Sequence, residues 1–284
     1  MMNVLARIST EIGLRNYVVL DTLAPQAAGP LTDFRGTFDR AELRRRMDAV
    51  GAEFVTCCTA DRRQVEVLRP VRAFHVIRDP RDIIVSAYFS HRNSLSTEPY
   101  PHIQRHRAEL RNTSLEQGLL LEMEFSKAEL VQIGDWDYTH DHILEVKAED
   151  LLAHPYEGFI SIFRHLGLLG EVEPQRAHEQ LRVSIERLRN RLSRRTGLER
   201  LRRRIPATGE IVLGTVYAQR FDALTGGRQR GNEDVESHYR KGVAGDWANY
   251  FTAEHVDAFN EQFGDLLVKL GYEENRQWSS LRAA

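Results

Sequence analysis

Ala73-Phe74-His75-Val76-Ile77-Arg78-Asp79-Pro80-Arg81-Asp82-Ile83-Ile84-Val85-Ser86-Ala87-Tyr88 reads as a strand, a turn and a helix in one run. Residues 73–77 form a short apolar stretch rich in residues that suit a buried strand. Asp79 has the side chain of a helix cap, and Pro80 suits the first helical position, so a helix is expected to start there and carry Ile83, Ile84, Val85, Ala87 and Tyr88. Arg78 leaves the strand end, and Ser86 follows less than three turns into the helix. A strand end facing a helix N-terminus is a favoured seat for anions in open α/β folds.

The same alternation extends in both directions. Residues 2–13 and 40–50 read as helices, the second closed by Gly51, and 54–59 as a buried strand. Ile143-Leu144-Glu145-Val146 is a third strand. Pro155 opens a helix that buries Phe159, Ile162 and Phe163 and stops at Gly167. The last helix, about 252–270, carries Val256, Phe259, Phe263, Leu266 and Leu267 in one stripe. Strands alternating with helices predict an α/β domain with a mostly parallel sheet flanked by helices. At 284 residues the chain fits one domain, 1–284. Within it, 174–230 reads as an Arg-rich helical insertion. Residues 176–204 hold eleven arginines, and Leu181, Ile185, Leu188 and Leu192 make a helical seam with a basic outer face. That segment reads as a solvated cover for the domain, or as a surface for an acidic substrate, partner or membrane.

Composition narrows the classes. Hydrophobic residues are 42%, charged residues 28%, and the net charge is −2, which argues against a general nucleic-acid binder. No apolar run approaches a membrane span, and the N-terminus lacks the pattern of a secretory signal. The two cysteines, Cys57 and Cys58, form no disulfide or zinc framework. A cytoplasmic location is the default expectation.

A second motif is His238-Tyr239-Arg240-Lys241-Gly242-Val243-Ala244-Gly245-Asp246-Trp247. Adjacent cations followed by spaced glycines make a basic loop whose backbone can approach a phosphate. On mechanism alone each motif has a plainer reading, as a capped helix start and as an exposed basic turn.

Taken together, and in this order, the two motifs resemble the PAPS-dependent sulfotransferases (PAPS, 3′-phosphoadenosine 5′-phosphosulfate) of the cytosolic and bacterial type. Between them, Glu145-Val146-Lys147-Ala148-Glu149-Asp150-Leu151-Leu152 is similar to the family's Tyr-Glu-Asp-Leu segment, with Ala148 where the family has tyrosine. The stretch from Asn249 to Tyr272 is similar to the family's ending. The resemblance covers roughly 70–170 and 230–275. It implies a fold like that of the P-loop NTPases, and it implies that Arg78, Ser86, Arg240, Lys241 and Gly242 hold the 3′-phosphate. It implies transfer of a sulfuryl group from PAPS to a hydroxyl or amine of a small-molecule acceptor, releasing PAP (3′-phosphoadenosine 5′-phosphate), with no metal.

The sequence departs from the family in two places. No stretch of the Pro-Lys-x-Gly-Thr-Thr-Trp type is present, the nearest fragment being Arg35-Gly36-Thr37. The expectation is that the P-loop strand and its 5′-phosphosulfate loop are missing from this chain, which starts just after them or is a degenerate member without them, and that the chain transfers sulfuryl weakly or not at all. The strand 54–59 also lacks the family's histidine base. His91 and His75 are the remaining candidates for that base, and each also reads as structural. The acceptor pocket is expected from residues 22–40, 92–125 and 205–232, with Glu122, Glu124 and Phe125 as candidate lining. A non-catalytic PAP- or PAPS-binding protein is the alternative function. A P-loop kinase is disfavoured by the absent phosphate loop. No nucleic acid and no integral membrane segment are expected, and a homo-oligomer is compatible with the sequence.

Overall fold

A computed structural model describes residues 1–19, 39–58, 61–68, 71–95, 101–170 and 175–279. Helix α1 (Met2–Glu11) leads into strand β1 (Asn16–Val19), followed by α2 (Arg40–Val50), β2 (Phe54–Cys57), α3 (Arg62–Leu68) and β3 (Ala73–Ile77). Helix α4 (Pro80–Phe89) ends in a π-helical turn, Ser90–Ser94, ahead of α5 (Pro101–Arg111), α6 (Leu115–Phe125), α7 (Lys127–Asp135) and β4 (Ile143–Lys147). Then come α8 (Ala148–Ala153), α9 (Pro155–His165), α10 (Ala177–Thr196), α11 (Gly209–Ala218), α12 (Phe221–Leu224) and α13 (Ala253–Lys269). No helix among the described residues is long and apolar enough to cross a membrane.

Among the described residues the strands form two parallel pairs, β1 with β2 and β3 with β4. Phe54 donates its N–H to Arg15 O at 3.0 Å, and Cys58 to Val19 O at 3.0 Å. In the other pair Ala73 donates to His142 O at 3.1 Å. Amides alternate in direction along a strand, so those of Val55, Cys57, Phe74 and Val76 point away from their ladder partners. The free edges of β2 and β3 both border one cavity of about 330 Å³, which Met1 and Met2 also line.

Side chains alternate across β3 and β4. Phe74, Leu144 and Val146 pack onto a cluster with α1, α9 and α11, built around Ile8, Ile12, Phe163 and Val212. Ile77 faces the opposite cluster, where α4, α6 and α13 bring Ile84, Leu119, Phe259 and Leu267 together. The helices therefore cover both faces, as the alternating pattern predicts. Helix α11 lies within the 174–230 stretch, and its Ile211, Val212 and Val216 are buried in the α1–α9 cluster.

Helix α10 turns the expected way up only in part. Its apolar seam points outward, with Leu181 62% and Leu188 56% exposed, and Ile185 and Leu192 also exposed. The inward positions are Asn190 and Ser193. Asn190 Nδ2 donates to Glu11 O at 3.0 Å and Arg203 O at 2.8 Å, while its Oδ1 accepts from Arg203 N at 2.7 Å. Arg187 and Arg191 reach the Glu11 carboxylate at 2.8 Å and 2.5 Å. Polar contacts to α1 orient this helix, against the apolar spacing.

Candidate anion-binding site

Helix α4 begins as the sequence predicts. The Asp79 side chain accepts from Arg81 N at 2.9 Å, and Pro80 occupies the first turn. The Arg81 guanidinium is nearly sealed from solvent. It pairs with Asp79 at 2.7 Å and Glu273 at 2.5 Å and lies 3.8 Å from the Trp247 ring. Glu149 accepts from Asp79 N at 3.0 Å and from the Tyr272 hydroxyl at 2.8 Å. Asp82 accepts from Gly245 N at 2.6 Å and Trp247 N at 2.9 Å. The strand–helix motif, the segment at Glu149, the glycine loop and the C-terminal Tyr272 are thus tied into one unit.

Arg78, Ser86, Arg240, Lys241 and Gly242 all line one cavity of about 400 Å³. Arg220 and Arg230 share the wall, and no Asp or Glu does. Arg78 is half-buried, and neither its guanidinium nor the Ser86 hydroxyl has a hydrogen-bond or ion-pair partner among the described residues. The charge of Arg78 is felt by Asp82 through space, but its guanidinium donors make no hydrogen bond among the described residues, so this geometry suits an incoming anion.

Arg240 and Lys241 are held from behind. Arg240 Nη2 donates to Asp246 Oδ2 at 2.5 Å, its Nη1 donates to the Tyr250 hydroxyl at 3.0 Å, and it also pairs with Glu233. Lys241 Nζ lies 2.6 Å from Asp246 Oδ1. Burial pushes the Asp246 carboxyl up, but the hydrogen bonds from Lys241, Asn249 and Arg240 outweigh it and hold it below the usual range. Asp82 goes the other way: burial raises its carboxyl, and the Trp247 amide, the Arg78 charge and the Gly245 amide only partly offset that. Burial and the Glu233 hydrogen bond push the Tyr250 phenol up to about 12, so it stays a donor near neutral pH.

Gly242 has a φ of +70°, and a β-carbon there would lie 2.6 Å from the Phe221 ring. The loop passes that close to α12, and Phe221 lines the same cavity. Tyr156, Phe159 and Leu224 supply further apolar wall, enough for a flat ring beside the cations. Ala148, in place of the family's tyrosine, also lies on this wall.

The two candidate bases lie elsewhere. His75 lines the 330 Å³ cavity between β2 and β3. Its Nδ1 is 2.7 Å from Glu145 Oε2, and its ring packs against Trp136 at a tilt of 35°, with ring centres 4.3 Å apart. His91 contacts Glu122 at 3.0 Å and lies outside the walls of both cavities. The histidine on the wall of the 400 Å³ cavity is His238, which belongs to the second motif. Burial pushes the Cys57 thiol up to about 12, leaving it a neutral wall residue. Glu122 is fully buried and Glu124 is exposed beside Lys127. Of the expected acceptor segments, 205–232 contributes Val216, Gln219, Phe221 and Arg230 to the cavity. Residues 22–38, including Arg35-Gly36-Thr37, lie outside the described residues.

No protein-family model matches the chain, and no curated protein matches it. Among solved structures, the mouse sulfotransferase SULT7A1 complexed with PAP is similar in fold, with a TM-score of 0.47 and 14% identity over 94% of this chain and 90% of that one.

Proposed function

We propose that the 400 Å³ cavity binds the 3′-phosphoadenosine part of PAP and PAPS, and that the chain belongs to a PAPS-dependent sulfuryl-transfer system. One observation carries the reading. Arg78, whose guanidinium has no hydrogen-bond or ion-pair partner among the described residues, lines one cavity with Ser86, Arg240, Lys241 and Gly242, on a wall that has five cationic side chains and no carboxylate. Three charged groups and a hydroxyl match the oxygens of a phosphate monoester, each charged hydrogen bond contributing about 1.5–3 kcal/mol. Phe221 and Tyr156 offer ring faces for adenine.

Transfer would be in-line, from PAPS to an acceptor oxygen or nitrogen, with positioning and charge stabilisation supplying most of the rate. His75 is the proposed base candidate nearer the site, because the cavity it lines shares Arg78, Val76 and Met1 with the nucleotide cavity. His91 is the more distant one. The sulfate end needs a loop of the Pro-Lys-x-Gly-Thr-Thr-Trp type, which the 284 residues do not contain. The free edges of β2 and β3 offer a seat for the strand that would carry it. Without such donors the leaving phosphate is unsupported, and losing even one typically costs about 100- to 1,000-fold in rate. The chain as it stands is therefore expected to bind nucleotide and to transfer weakly or not at all. That behaviour coincides with the second reading, a PAP- or PAPS-binding protein.

Calorimetric titration with PAP and with adenosine 5′-monophosphate, which lacks the 3′-phosphate, tests the site. PAP is expected to bind at least about tenfold tighter, and Arg78→Ala to erase that difference. Equal affinity of the folded wild type for both nucleotides would sink the reading.

A further inference from the structure

Three residues from three separate elements converge away from the nucleotide cavity. His91 comes from the π-helical turn after α4, His106 from α5 and Glu122 from α6. Their ligand atoms all lie within 4.8 Å of one another. His91 Nδ1 is 3.0 Å from both carboxylate oxygens of Glu122, and His106 Nε2 is 2.8 Å from Oε2. Glu122 is 0% exposed and His106 is 4% exposed.

The surroundings are built as well as the cluster. Ser126 donates its hydroxyl to Glu122 Oε1 at 2.7 Å. The Glu109 carboxylate lies 3.8 Å from the far nitrogen of His106, the side on which metal-bound imidazoles are ordinarily held by a carboxylate. Phe125 stacks flat on His106, with ring centres 3.8 Å apart, and turns its edge to His91 at 5.3 Å. A π-turn widens a helix and re-aims its side chains, and Arg107 fixes this one by donating to His91 O at 2.5 Å and Leu95 O at 2.6 Å.

The donor set supplies the reason for a ligand. Two imidazoles and a hydroxyl hydrogen-bond to the Glu122 side chain, so a buried carboxylate and two ring nitrogens face one another at a point that a shared proton or a metal ion can occupy. Buried charges are ordinarily paired or coordinated. We propose that His91, His106 and Glu122 form a site for a divalent transition-metal ion of the Zn²⁺ class, with water as the fourth ligand. Two nitrogens and one carboxylate suit that ion. Metal–donor distances of about 2.0–2.2 Å place tetrahedral donors about 3.4 Å apart, which side-chain rotation can supply from the present spacing. The ion would pin the π-turn to α5 and α6. This proposal does not rest on the nucleotide reading.

The test uses the full chain, stripped with a chelator, dialysed, and titrated with Co²⁺ and then Zn²⁺. One equivalent of Co²⁺ is expected to give the intense visible absorption of a four-coordinate ion, and Zn²⁺ to displace it. Glu122→Gln and His106→Gln should lose the band or weaken binding at least tenfold. His178→Ala, on the exposed face of α10, should leave it unchanged. If the buried substitutions unfold the chain, His91→Asn, at the more open edge and checked by circular dichroism, decides the matter. A folded wild type that gives only the weak spectrum of six-coordinate Co²⁺ would overturn the site, as would a band that survives His91→Asn. The cluster would then be a hydrogen-bonded network that holds a proton where the metal was proposed.

Discussion

Asp82 accepts a hydrogen bond from the backbone N–H of Trp247 at 2.9 Å, across 165 residues of chain. With the neighbouring bond from Gly245, it fixes the glycine loop against the start of α4 while lying outside the wall of the 400 Å³ cavity. Asp82→Ala leaves the buried Trp247 N–H and the half-buried Gly245 N–H without their acceptor, at up to about 1–3 kcal/mol each. The variant should be about 2–4 kcal/mol less stable in urea melts, and Asp82→Asn, which keeps one acceptor oxygen, should lose roughly half as much. Both should bind PAP more weakly, because Lys241 and Arg240 lose their fixed placement.

Asp246 makes the loop acid-sensitive. Its folded value lies below the usual carboxylate range because the bonds from Lys241, Asn249 and Arg240 outweigh burial. Its contribution is therefore fully present above the unfolded value, about pH 4, and is lost as pH falls through the lower folded value. Asp82, raised by burial, acts in the opposite sense. Its contribution is present below the unfolded value and lost as pH rises through the folded one. Urea midpoints measured against pH should fall less steeply below about pH 4 in Asp246→Asn than in the wild type. An unchanged acid limb would remove Asp246 from the account.

Helix α10 shows what one-dimensional spacing leaves open. Leu188 is 56% exposed, so Leu188→Ser should change stability by no more than about 0.5 kcal/mol. Asn190→Leu, which reads as an improvement to the apolar helix, forfeits hydrogen bonds to Glu11 and Arg203 and strands their backbone groups. It should cost about 2–4 kcal/mol. Thermal or urea melts of the two variants decide the orientation of the helix, and the opposite ranking would reverse it.

The same contrast divides what the sequence made legible from what it did not. Strand 73–77 and the helix after it were readable because Asp79 and Pro80 act on their immediate neighbours. Arg78, Ser86, Arg240, Lys241 and Gly242 line one cavity, and each belongs to one of two contiguous motifs, which is how a resemblance could single them out. Phe221, Arg220, Arg230 and Tyr156 reach the same wall from separate segments, and no local spacing announces that. The direction of the α10 seam was hidden for a related reason. It depends on Glu11, 179 residues from Asn190, whereas the 181-185-188-192 spacing fixes only that a stripe exists. His91, His106 and Glu122 likewise lie on three elements, with no ligand spacing within any one of them.

Gly242 offers the sharpest test of the loop. Two separate costs attend a side chain there: the backbone φ of +70°, and a β-carbon 2.6 Å from the Phe221 ring. A non-glycine residue held at positive φ costs about 1–3 kcal/mol, and the ring contact adds to it unless Phe221 can move. Gly242→Ala should therefore lower both stability and PAP affinity. Adding Phe221→Ala removes the contact and leaves the backbone cost, so the double mutant should be more stable than the sum of the single changes predicts, with a coupling above about 0.5 kcal/mol. Simple additivity would mean that the glycine is required for its backbone alone, and that the loop and α12 are not pressed together at the wall of the cavity.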